Sequence, residues 1–209
     1  MKAVSHKGRR RVGILLSGSG AFDGSDAHEA VLGMLAIQES GHELVCLAMD
    51  ARQLHVVDHM TAMEDESAPE RAIMVEAARL VRGKLYSLEE ISPNILDGLV
   101  IPGGQGAVKN LMNAFEGPSG HDAAPAVRTF LEQLHQGGRP IGAISLAEFL
   151  LTAVFGPWPH GKGCLDLKAE EVLSRPAERL YLTPGMTVAA KLPELLGGIR
   201  NLLSAMFEH

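Results

Sequence analysis

Short apolar runs alternate along this chain with glycine-rich breaks and with stretches of helical spacing. Residues 12–16 form an apolar run, the small-residue loop Ser17-Gly18-Ser19-Gly20 follows, and a helical pattern begins near Ser25 with Ala30, Val31, Met34, Leu35 and Ile37 on one face. The alternation returns as a predicted strand over 44–49, a helix over 68–82 ending at Gly83, and a strand over 97–101 broken by Pro102-Gly103-Gly104. A helix over 122–136, with Gly137-Gly138 behind it, and a strand over 140–144 come next.

Strands that are apolar on both faces cannot leave one face in water. They predict an α/β fold, a three-layer sandwich in which helices cover both sides of a mostly parallel sheet. In such sheets the ligand crevice lies beyond the carboxyl ends of the strands. Three stretches leave strands at that edge, namely 17–24, 102–106 and the chain from Ser145 onward, so residues far apart in sequence converge there. The chain shows no internal repeat, low-complexity segment or interdomain linker, which predicts one domain over 12–209 behind a basic arm, 1–11.

Composition narrows the class. With 209 residues, 46% of them apolar, a single core is stable without staples. The chain has two cysteines, and Cys46 sits inside the apolar run 44–48, so no disulfide framework is expected and the cytoplasm is the expected compartment. The net charge is −6 and the one basic cluster is the terminal arm, which argues against nucleic acid as a partner. No stretch approaches the roughly 20 apolar residues of a membrane span. The histidines are scattered and no Cys or His pair has ligand spacing, so neither a metal nor a cofactor is expected. The loop at Ser17–Gly20 lacks the third glycine of a dinucleotide fingerprint.

Three places could carry chemistry. Around Ser145 a buried strand turns abruptly into a helix with a small hydroxyl residue at the junction, the construction of a nucleophile elbow, in which the following amides and the helix N-terminus can stabilise an oxyanion. A helix N-cap is the alternative role for Ser145, since serine is a preferred cap. Pro102-Gly-Gly-Gln-Gly106 exposes backbone N–H groups able to hold an anion, or serves only as a left-handed turn. At the start of the first helix, Asp26 and Glu29 have the spacing of a capping pair, yet that first turn also faces the crevice, where the Glu29 carboxyl could meet Ser145. His28 is adjacent on the helix, about 100° away, and cannot point at the same atom.

Taken together, residues Val12-Gly-Ile-Leu-Leu-Ser-Gly-Ser-Gly-Ala-Phe-Asp-Gly-Ser-Asp-Ala-His-Glu-Ala-Val31, Pro102-Gly-Gly-Gln-Gly-Ala-Val-Lys-Asn-Leu111 and the elbow at Ser145 resemble the ElbB-like proteins of the PfpI and class I glutamine amidotransferase-like superfamily. The resemblance covers residues 12–155, including Gln53, His59-Met-Thr61 and Glu76-Ala-Ala-Arg79, and resumes at Leu182-Thr-Pro-Gly-Met186. Between Phe155 and Tyr181 the chain is shorter than these relatives, with a strand and some loop expected to be missing or remodelled. The resemblance implies a flavodoxin-like, class I glutamine amidotransferase-like fold and a homodimer. It also implies an elbow nucleophile at position 145, a supporting glutamate at Glu29, and donor amides at Gly103, Gly104 and Leu146. Some relatives are cofactor-independent glyoxalases that work through a hemithioacetal on an elbow cysteine.

Here that cysteine is Ser145, and Ser19 stands where relatives carry a second thiol in the first loop. A thiol is partly ionised at neutral pH, whereas a serine hydroxyl needs a base to take its proton. The expected function is therefore a non-catalytic or weakly active homologue that binds a small carbonyl or carboxylate ligand. Two alternatives are a glyoxalase-like lyase and a serine hydrolase using Ser145, the latter requiring a histidine within hydrogen-bond reach.

Overall fold

The computed structural model describes residues 8–112 and 122–208. The first seven residues of the basic arm lie outside this range, and its last, Arg11, already opens the first strand. In chain order the elements are β1 (Arg11–Leu16), α1 (Ala27–Glu39), β2 (Glu43–Ala48), β3 (Val57–Asp58), β4 (Met63–Glu64), α2 (Ile73–Val81) and β5 (Tyr86–Ser87). They continue with β6 (Gly98–Ile101), α3 (Gly106–Lys109), α4 (Pro125–Gln136), β7 (Ile141–Ile144), α5 (Ala147–Phe155), β8 (Leu173–Arg175), β9 (Leu180–Thr183) and α6 (Leu192–Phe207).

Seven strands form one sheet in the order β5-β2-β1-β6-β7-β9-β8, and β3-β4 is a separate hairpin. Every pairing in the large sheet is parallel except that of β8 with β9. The strands are buried on both faces, as their unbroken apolar runs require. On one face Leu15, Leu99, Ile101, Ile141 and Ala143 pack under α3, α4 and α5. On the other, Val12, Ile14, Leu16, Val100 and Ile144 pack under α1, α2 and α6. The predicted three-layer α/β sandwich is the architecture observed.

Element ends depart from the predicted ones where local geometry overrides pattern. The helix expected over 68–82 starts at Ile73, because Ala72 is extended and bridges Arg52. That expected over 122–136 starts at Pro125, the residue whose missing N–H suits a first turn. The remodelled stretch between Phe155 and Tyr181 does contain a strand, β8, which forms the antiparallel sheet edge.

The crevice follows from topology. β1 is followed by a strand on one side of it and β6 lies on the other, so the chain reverses direction across the sheet between them. The loop after β1 and the loop after β6 are laced together there: Gln105 N–H donates to Ala21 O at 2.8 Å, Gly106 N–H to Gly24 O at 2.9 Å, and Asp26 N–H to Gly103 O at 3.0 Å.

Candidate functional site

Ser145 ends β7 in the left-handed region, with φ of 54°. A residue with a Cβ pays about 1–2 kcal/mol for that conformation, and the surrounding structure must impose it. Its N–H still donates to Thr183 O at 2.9 Å, continuing the ladder, and its carbonyl already accepts from Glu148 N–H at 3.1 Å, starting the next helical turn. One residue thus completes the sheet and begins α5, which is what a strand-to-helix elbow demands. The N-cap of α5 is Leu146, not Ser145, and the Ser145 hydroxyl is free of capping duty. That hydroxyl hydrogen-bonds Thr187, and Ser145 as a residue is 4% exposed.

Glu29 approaches from the first turn of α1. The turn is capped by Asp26, whose Oδ1 accepts from His28 N–H at 2.8 Å and Glu29 N–H at 3.1 Å. Glu29 does not close a reciprocal capping box. Its carboxylate turns inward, where Oε2 accepts from Gly103 N–H at 2.7 Å and Oε1 from Met186 N–H at 2.8 Å. Glycine is required on both sides of it. A Cβ at Gly103 would lie 2.9 Å from Glu29 Oε2 and 2.8 Å from Ser145 Cβ, and one at Gly185 would lie 2.4 Å from Glu29 Oε1. Glu29 and Ser145 therefore flank a single glycine Cα. His28, its neighbour, is exposed.

Burial pushes the Glu29 carboxyl up to about 7 from its ordinary 4.5, and the nearby Asp26 charge adds to the rise. The Met186 and Gly103 amides and the Ser145 hydroxyl pull the other way. The group is thus poised between its two protonation states near neutral pH, as groups in functional clefts often are.

Of the amides expected to face a ligand, Gly103 is already committed to Glu29. Among the described residues, the N–H groups of Gly104 and Leu146 have no protein acceptor. Leu146 stands at the N-terminus of α5, and Gly104 lies in the loop between β6 and α3. Leu146 also lines an apolar cavity of about 480 Å³ between α3 and α5, with Gln105, Val108 and Phe149. Ser19 is half-buried, its backbone packed against Gly24, and it makes no hydrogen bond to Ser145. Sequence reasoning brought Ser145, Glu29 and Gly103 to one place, and the structure puts them in contact.

Sequence reasoning missed the turn Gly185–Thr187, which supplies a backbone donor to Glu29 and a hydroxyl to Ser145. A donor amide leaves no mark in sequence. It also missed Cys164, from the remodelled segment, whose Sγ donates to Glu148 Oε1 at 3.3 Å and whose N–H donates to Oε2 at 2.7 Å. Burial, then the Glu148 charge, pushes this thiol up to about 11, with the Thr187 hydroxyl opposing. Cys46 is pushed up to about 11 by burial alone. No group of three His, Cys, Asp or Glu side chains able to hold a metal occurs among the described residues.

No protein-family model matches the chain. In solved structures the fold recurs in an isoprenoid biosynthesis protein with an amidotransferase-like domain from Ehrlichia chaffeensis, at a TM-score of 0.84 and 26% identity over 95% of this chain and 99% of that one. The chain has the fold of the class I glutamine amidotransferase-like superfamily. A human relative, glutamine amidotransferase-like class 1 domain-containing protein 3, mitochondrial, is 32% identical over 173 residues, 76% of this chain. The match spans 64% of that relative's own length, so this chain corresponds to part of it. A DJ-1 superfamily protein of Salmonella typhimurium shares the fold at a TM-score of 0.57 and 17% identity, over 95% of this chain and 91% of that one. Within this superfamily architecture, the elbow, the glycine loop and the first-helix glutamate occupy one sheet edge. No helix among the described residues is long and apolar enough to cross a membrane.

Proposed function

We propose that this chain is a binding member of the superfamily, ElbB-like in its motifs, whose elbow holds a small carbonyl or carboxylate ligand without attacking it. The observation that carries this reading is the state of Ser145. Its hydroxyl is engaged by Thr187, no histidine among the described residues bonds it, and the one carboxylate beside it already accepts two amides. A hydroxyl in that setting has no imidazole to activate it, and the Glu29 carboxylate beside it is a weak base for an alcohol. The free N–H groups of Gly104 and Leu146 then serve as the anion-holding donors.

An anion placed there sits close to Glu29, so a neutral Glu29 favours it. Calorimetric titration with glyoxylate, which carries both a carbonyl and a carboxylate, is expected to show tighter binding at pH 6 than at pH 8 with uptake of a proton. Absence of binding at millimolar glyoxylate at both pH values would sink the reading. A weakly active glyoxalase-like lyase is the second reading, favoured by the ability of Glu29 to give and take a proton near neutrality. A homodimer and a cytoplasmic location belong to the same proposal, the mitochondrial name of the human relative being the reason to test location directly.

A further inference from the structure

Thr187 sits in an unusual position for an exposed threonine. Its neighbours in the turn Gly185–Thr187 are fixed from within the protein: Gly185 adopts φ of 57° where a Cβ would strike Glu29, Met186 N–H grips Glu29 Oε1 at 2.8 Å, and Ala189 N–H closes the turn on Gly185 O at 2.9 Å. The turn therefore presents the Thr187 hydroxyl to Ser145 Oγ, with the Cys164 thiol also within its reach. Behind it lies Cys164, itself held by Glu148. An exposed residue thus sends its hydroxyl into a site where Ser145 is almost fully buried.

We infer that Thr187 is the positioning residue of the elbow, the group that fixes where the side chain of residue 145 points and which of its lone pairs are free. The inference rests on the reading above only in that position 145 faces the ligand. The Ser145 hydroxyl lowers the Glu29 pKa, as a donor to the ionised carboxylate does, and that assignment leaves Thr187 as the donor to Ser145 Oγ. The Thr187 proton then covers the lone pair that an attack on a carbonyl would use, while the Ser145 proton is turned toward the carboxylate. The elbow oxygen is held as a hydrogen-bonding group. Thr187, which nothing in the sequence marks, becomes a determinant of what the site does.

The test reads the position directly, without a ligand. In a Ser145→Cys background the Thr187 hydroxyl should donate to the thiolate, and a donor to a charged acceptor is lost when it is replaced by a methyl of the same shape. Adding Thr187→Val should raise the pH midpoint of iodoacetamide alkylation at position 145 by about one unit, roughly a tenfold slowing at pH 6. Thr187→Ser should restore the original midpoint. An unchanged midpoint with Thr187→Val would overturn the inference, as would faster labelling at every pH with no shift, which would make Thr187 a cover only. Thermal melting of each variant checks that the fold is kept. Because neither binding nor turnover enters, a failed glyoxylate titration leaves this result interpretable, and the reverse holds as well.

Discussion

Glu29→Gln should flatten a pH dependence of folding stability that the natural protein carries between about pH 4.5 and 7. The Glu29 carboxyl titrates near 7 when folded, against an ordinary 4.5, chiefly because burial disfavours its charge. Across that window the folded state keeps a proton that the unfolded chain has lost, so stability must fall as pH rises. The favourable contribution is complete below pH 4.5 and gone above 7, a swing on the order of 3 kcal/mol for a shift of this size. Glutamine removes the titration but brings its own cost. Glu29 accepts from both Gly103 and Met186, and a carboxamide offers only one oxygen, leaving one buried amide facing an N–H₂ group. That costs about 1–3 kcal/mol at any pH. The variant is therefore expected to be the less stable protein at pH 5, with the gap closing or reversing by pH 8. Urea denaturation across this range decides it, and parallel profiles would show that Glu29 ionises as an ordinary carboxylate.

Replacing Ser145 with cysteine is expected to create a reactive thiol in one step. At this position the side chain stands at the N-terminal end of α5, beside the Thr187 hydroxyl. Each of these stabilises a thiolate. Glu29 does not oppose them below pH 7, where it is mostly neutral. A thiol so placed should titrate well below the usual value of about 8.5 and alkylate at pH 6 on the order of tenfold faster than an unperturbed one. Cys46 and Cys164 provide internal controls, both buried and pushed up to about 11. Intact-mass measurement of iodoacetamide labelling against pH reads the outcome. Labelling at position 145 no faster than that of a free thiol would mean that the pocket no longer favours an anion.

Much of this architecture was legible because parallel sheets leave an unambiguous trace. Runs such as Ile14 to Leu16 and Leu99 to Ile101 are apolar at consecutive positions only when both faces are covered, and the two sides of the core divide them residue by residue. The meeting of Glu29 with Ser145 followed from the same logic, since the first turn of α1 and the junction of β7 with α5 both lie beyond the carboxyl ends of strands at one sheet edge. What escaped were features with no periodicity. β8 is three residues long and half-buried throughout, so neither alternation nor an apolar run announces it. Residues 57–72 form a short hairpin and an extended bridge, which the helical spacing of the following residues obscured. The turn Gly185–Thr187 acts through a backbone amide and a hydroxyl that comes from 42 residues beyond the elbow. Its role depends on a close approach to Glu29 that only the folded chain reveals.

The measurement that bears most directly on the central claim is the turnover of methylglyoxal by the natural protein beside its Ser145→Ala variant, assayed at pH 7 with both proteins shown to be folded. A serine held by Thr187, with no histidine among the described residues to take its proton and only the amide-bound Glu29 carboxylate beside it, should contribute nothing to the chemistry. The two proteins are expected to convert methylglyoxal at the same rate, no faster than background. Robust turnover by the natural protein that vanishes in the variant would contradict the account and make Ser145 a nucleophile.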